Sequence, residues 1–178
     1  MTRLLHNIAG IAAALALLST GTSALGQTGG DQQYVLRVPS SMSIEALRDD
    51  QLRNHPGTTG NITFTDSVWY AQTASNTGST VRLTVQQPFQ HETVSSSMRD
   101  VRLRTPRMFV TPGSGWKFDK FTDQTDYVGG DLSAEVQVSS RRAGRAIIFL
   151  EVTFLTGDPA TLQGGDYTAT VIGTISAN

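Results

Sequence analysis

The chain reads as an all-β protein, an antiparallel β-sandwich of about eight or nine short strands. Three observations predict it. Several segments alternate apolar and polar residues with period two. Gly, Ser, Thr and Val dominate the body of the chain, with few Lys, a composition that favours strands and turns over helices. Turn-forming clusters recur at short intervals: Asn76-Thr77-Gly78, Pro112-Gly113-Ser114-Gly115, Gly129-Gly130-Asp131, Gly157-Asp158-Pro159 and Gly164-Gly165-Asp166.

In chain order, the first feature is a short basic lead, Met1, Thr2, Arg3 and His6, that runs into the Ala/Leu/Ile stretch Ile8 to Leu18. That stretch is about 11 residues, against the roughly 20 needed to span a bilayer as a helix, and small residues follow it. The expectation is a signal peptide over residues 1–26, cleaved after Ala24 or after Gly26. A flexible polar N-terminus over 27–33 and one sandwich domain over 34–178 complete the expected organisation. Later stretches are not apolar enough to cross a membrane as a helix. About 150 residues remain after cleavage, enough for one domain with its own core. The chain has no cysteine, so packing rather than a disulfide framework must hold it, and no lipidated cysteine tethers it. Its formal charge of −1 becomes −2 without Arg3, a balance that argues against a general nucleic-acid binder.

The clearest strands follow from alternation. Val81, Leu83 and Val85 share one face, with Arg82 and Thr84 on the other. Leu132, Ala134, Val136 and Val138 repeat the pattern. In Ala146 to Phe154 one face is wholly apolar, and the other still carries Ile147 and Phe149, as in a central strand covered on both sides. The last strand, Tyr167 to Ala177, has its apolar face broken at Gly173, which predicts a bulge or a close backbone approach. Tyr34 to Val38, Asn61 to Tyr70, Asp100 to Arg104, Arg107 to Thr111 and Gly115 to Phe121 are further strands. Ser43 to Asn54 is the exception. Ile44, Leu47 and Leu52 fall on a common side of a helix there, so the segment reads as a short helical or irregular insertion. Gly129-Gly130-Asp131-Leu132-Ser133-Ala134-Glu135-Val136 and Gly164-Gly165-Asp166-Tyr167-Thr168-Ala169-Thr170-Val171 also echo each other as turn then strand, the kind of match that repeated turn chemistry produces.

The closing stretch Gly165-Asp166-Tyr167-Thr168-Ala169-Thr170-Val171-Ile172-Gly173-Thr174-Ile175 resembles the final strand of several bacterial surface domains: pilin-like and spore-coat-U-like sandwiches and the WxL cell-wall domains. Ala143 to Thr156 with Gly157-Asp158 is similar to the strand and turn before it. The resemblance covers roughly the last 50 residues. It implies an immunoglobulin-like or pilin-like sandwich with a structural or adhesive role at the cell surface. Two departures matter. Gly173 stands where WxL domains carry Trp and Ile175 where they carry Leu, so attachment to peptidoglycan by that motif does not carry over. Assembled pilins donate a long N-terminal strand to a neighbour, whereas here only Tyr34, Leu36 and Val38 alternate, a length equally natural for a first strand of the same domain.

Catalytic signals are weak. Without cysteine, thiol chemistry and thiolate metal sites are excluded. His55 and His91 have no partner at a recognised metal spacing, and Gly113-Ser114-Gly115 lies in a Pro/Gly turn unlike a nucleophile elbow. Asp119, Asp123, Asp126 and Asp131 are the carboxylates a calcium site would use, but Lys117 and Lys120 sit among them and the spacing is not that of an EF-hand. No metal, cofactor or catalytic residue is expected. For a ligand surface, Arg102 and Arg104 share the outward face of a strand, and Trp69 and Trp116 are the aromatics able to stack on a sugar, although large aromatics in such a sandwich more often fill the core. The expected function is a non-catalytic exported surface or structural protein, in the periplasm, at the cell surface or outside the cell. It would pair with itself or another surface protein through strand edges. The alternative is a secreted module that binds a glycan or cell-wall polymer.

Overall fold

Alternation of buried and exposed residues runs through most of this chain, and the computed structural model, which describes residues 42–178, turns it into stacked antiparallel sheets. The expected leader, the polar stretch 27–33 and the expected strand Tyr34 to Val38 lie outside the described residues. Thirteen strands form among the described ones: β1 Met42–Ala46, β2 Ile62–Thr63, β3 Ser67–Thr73, β4 Ser79–Val85, β5 Phe89–His91, β6 Met98–Arg99, β7 Val101–Val110, β8 Lys117–Lys120, β9 Thr122–Gln124, β10 Ala134–Ser139, β11 Gly144–Phe154, β12 Tyr167–Thr168 and β13 Val171–Ala177. A six-stranded sheet has the order β1-β3-β11-β7-β9, with β2 also paired to β11. A four-stranded sheet has the order β13-β4-β10-β8, and a small third sheet the order β12-β5-β6. No helix among these residues is long and apolar enough to cross a membrane.

The core is the set of inward positions the period-two pattern marks. Val81, Leu83 and Val85 from β4, with Ala134, Val136 and Val138 from β10, meet Ala71, Val101, Leu103, Ala146, Ile148 and Leu150 from the larger sheet. Leu83, Leu103, Ile148 and Leu150 are fully buried; truncating any one of them to Ala costs about 2–5 kcal/mol. β11 is central, as its two apolar faces predict: β3 and β2 pair on one side and β7 on the other.

Several expected boundaries move. Of the two alternatives for Ser43 to Asn54, the irregular one holds from Leu47 onward, and the start of the segment is a strand rather than a helix. Met42 and Ile44 are half-buried while Ser43 and Glu45 are exposed, so this piece alternates with period two and pairs with β3; Leu47 and Leu52, which made the helical stripe, are exposed. The expected strands at 100–104 and 107–111 merge into β7, because Pro106 sits where two residues, Thr105 and Pro106, oppose the single Leu150. A bulge of this kind tolerates a residue without an N–H. Asn61 to Tyr70 splits into β2 and the start of β3, and Gly115 to Phe121 shrinks to β8. Leu132 is exposed and precedes β10. Tyr167 to Ala177 breaks at Ala169 and Thr170, because Tyr167–Thr168 pairs with β5 and Val171–Ala177 with β4. The two echoing segments thus feed β10 and β13, on either side of β4.

Gly173 answers to the close approach the sequence predicts. A Cβ there would lie 2.4 Å from the Trp69 ring and 3.1 Å from Ile44 Cδ1. Trp69 therefore closes one side of the sandwich by lying flush on the β13 backbone. Gly173→Ala is expected to destabilise the fold by about 1–3 kcal/mol through overpacking. In Trp69→Leu the same change should cost less than half of that, and equal costs in both backgrounds, by urea denaturation, would refute the contact.

Candidate interaction surface

The outer face of the six-stranded sheet collects aromatic and guanidinium groups in cross-strand rows. In the first row Tyr70 on β3, Ile147 on β11 and Phe109 on β7 lie side by side. In the second, Val68, Phe149 and Arg107 do so. The Arg107 guanidinium lies over the Phe149 ring, 4.1 Å from its centroid, and donates to Asp66 Oδ2 at 3.3 Å. Phe109 meets the same ring edge-on at 5.6 Å, yet 62% of it stays exposed. The Tyr70 hydroxyl donates to Gln72 Oε1 at 2.9 Å. Further along the face, Arg104 lies opposite Glu151 and Arg102 opposite Thr153.

The four residues singled out for a ligand surface are not brought together. Arg102 and Arg104 do share the outward face, since Val101, Leu103 and Thr105, which alternate with them, are buried. Trp69 and Trp116 turn inward. Trp116 joins the core, and Trp69 packs on Gly173 while donating from Nε1 to Ser67 Oγ at 3.2 Å. The arginine that does stand beside aromatic rings is Arg107, over Phe149 and in the row next to Phe109 and Tyr70. Their signal was the second apolar face of β11 and the alternation Arg107, Phe109 on its neighbour.

At the same place the sheet has an edge that is open among the described residues. Thr111 N donates to Arg145 O at 3.0 Å, and in an antiparallel pair such bonds recur at every second residue. The backbones of Phe109 and Arg107 therefore bond to β11, and those of Met108 and Val110 point away from it. β9 covers β7 as far as Thr105, whose N–H donates to Phe121 O at 2.8 Å. Beyond that point the neighbouring segment leaves, because β8 pairs with β10 in the other sheet. Among the described residues, Met108 and Val110 face no strand on this side, and Val110 is 41% exposed.

Both histidines among the described residues serve the scaffold. His55 Nε2 bonds Thr156 Oγ1 at 2.8 Å, and His55 Nδ1 accepts from Gly57 N. His91 Nε2 bonds Gly164 O at 3.0 Å, and His91 Nδ1 accepts from Thr93 N and Val94 N. Gly165, at φ 143°, passes so close to this ring that a Cβ would lie 2.3 Å from Nε2. Among the described residues no three His, Asp or Glu gather as metal ligands. A shallow uncharged groove of about 310 Å³ is lined by Gln86, Gln87, Gln90, Thr168 and Thr170. Comparison with protein families, with curated proteins and with solved structures finds no match to this chain.

The four aspartates of the 119–131 region are engaged one by one. Asp126 accepts from Gly129 N at 2.9 Å and Asp131 from Ser133 N at 3.3 Å, each within its own turn. Burial alone would raise the carboxyls of Asp119 and Asp123. For Asp119, hydrogen bonds from Lys117, Ser139 and Gln137 and the charge of Lys117 outweigh burial and hold it below the ordinary carboxylate range. For Asp123, Lys120 and the backbone N–H groups of Glu135 and Gln124 do the same. Asp123 accepts from Glu135 N at 2.8 Å, so a carboxylate on β9 of one sheet holds β10 of the other. A lowered folded-state pKa contributes stability above the unfolded value of 3.8, and the contribution is lost as pH falls through the folded value. Asp123→Asn should cost about 1 kcal/mol near neutral pH for this partly exposed group. Urea midpoints of the two proteins should draw together as pH falls below 3.8, and a gap that stays constant with falling pH would contradict the assignment.

Proposed function

We propose that this chain is a non-catalytic structural or surface subunit, exported by its N-terminal leader, that works by associating through its sheet edges. The observation that carries the reading is the second half of β7, where, among the described residues, Met108 and Val110 face no strand on the side away from β11 and lie beside an exposed Phe109. Such an edge is a template for another strand, and proteins that stay monomeric cover or charge it. The leader-like residues 1–26 and the resemblance of the last strand to bacterial surface sandwiches support the same reading. The stacked pair of Arg107 and Phe149, beside Tyr70 and Phe109, supports a second one: a module that lays a glycan or cell-wall polymer across this face, the rings against the sugar and the guanidinium against its acidic groups.

Light scattering coupled to size exclusion, on the chain from Gln27 onward over a wide concentration range, separates the two. The subunit reading predicts a mass that rises with concentration. A strict monomer contradicts it and leaves the glycan reading, for which Arg107→Ala should weaken retention on an acidic polysaccharide matrix at least several-fold.

A further inference from the structure

We infer that two copies of this chain join through the open edge of β7 in one register, with Phe109 on the two-fold axis. The inference rests on the association proposed above and adds its partner, its edge and its register. A two-fold antiparallel pairing must set the outward residues, Met108 and Val110, against outward residues of the second copy. Centring the pair on Met108 would place Val110 opposite Pro106 of the second copy, and centring it on Val110 would place Met108 opposite Pro112. Proline offers no N–H, so either choice leaves a carbonyl without a donor. Centring it on Phe109 sets Met108 against Val110 of the second copy, so that every outward N–H and C=O of those residues is bonded. Pro106 and Pro112 stand three residues to either side of Phe109. They then meet each other at the two ends of the paired segment, where no donor is needed.

The side chains agree with this register. Phe109 would face its own copy at a position where the two backbones approach closely, about 4.5 Å between Cα atoms, and two aromatic rings paired there stabilise a sheet. The 62% of Phe109 and 41% of Val110 now exposed would be covered. Arg107, already paired with Asp66, would lie opposite Thr111 of the second copy. The two Arg107 residues would sit four positions apart along the strands, roughly 13 Å, and at that separation salt screens their repulsion. The six-stranded sheet would run unbroken across both copies.

The chain contains no cysteine, so a single introduced thiol reports its own neighbour. In the chain from Gln27 onward, Phe109→Cys should form a disulfide-linked dimer on mild oxidation, since the expected Cα separation suits a disulfide. Ile172→Cys, exposed on the other sheet, should not. Val110→Pro removes an outward N–H and leaves the bonds to β11 intact. It should raise the dimer dissociation constant about 100-fold, with a thermal unfolding profile that matches the parent protein's in dilute solution, where both are monomers. If the protein associates but Phe109→Cys does not cross-link and Val110→Pro associates as before, the β7 register is overturned and the subunit reading survives on another edge. A strict monomer overturns both, whether the edge is bare or is filled by Tyr34 to Val38 of the same chain.

Discussion

The single residue Leu150, opposed by both Thr105 and Pro106, sets the phase of everything on the far side of β11. Below this bulge Val101, Leu103 and Thr105 turn their backbones to β9; above it Met108 and Val110 turn theirs outward. Pro106 makes the change of phase inexpensive, because the bulged position needs no N–H. The same proline cannot donate across the edge, so the ladder with β9 stops at Thr105. One local constraint thus lets β7 run for ten residues and, among the described residues, leaves its last part paired on one side only.

The two sides of the sandwich are closed by different chemistry. On the β1–β13 side, Trp69 fills the space a side chain at Gly173 would take, and Ile44 packs beside it. The contact is apolar and tolerates no added carbon. On the β8–β9 side the chain crosses from one sheet to the other between Lys120 and Thr122, and Asp123 holds the crossing by accepting from Glu135 N. That side is joined by a charged hydrogen bond near solvent. The exposed rings of Phe109, Phe118 and Phe121 belong to the segments that border it.

Much of this was legible in the sequence, for a physical reason: where a strand has one dry face and one wet face, composition must alternate. Val81 to Val85 and Ala146 to Phe154 read correctly because their neighbours bury one set of residues. Gly173 read as a close approach because no other residue would interrupt an apolar face there. Ser43 to Asn54 was read in part, as irregular from Leu47 onward, but its opening strand was missed because Ile44, Leu47 and Leu52 also fit a helical stripe. The pairing of Tyr167–Thr168 with a different sheet from Val171–Ala177 was hidden, since Thr/Val alternation continues unbroken through the switch. The candidate surface was half legible. Arg102 and Arg104 face outward as alternation requires, but an apolar second face on β11 reads equally as buried or bare. Which it is depends on what lies across the sheet, and that information is not local. Trp69 and Trp116 were drawn inward by their size, leaving the smaller rings of Phe109 and Phe149 on the surface.

The measurement closest to the central claim is amide hydrogen exchange along β7 as a function of protein concentration. Phe109 and Arg107, bonded to β11, should exchange slowly at every concentration. Met108 and Val110 should exchange fast in dilute solution and become protected together as concentration rises. Protection of Met108 and Val110 that is already complete at high dilution would contradict it, because the edge would then be filled within a single chain.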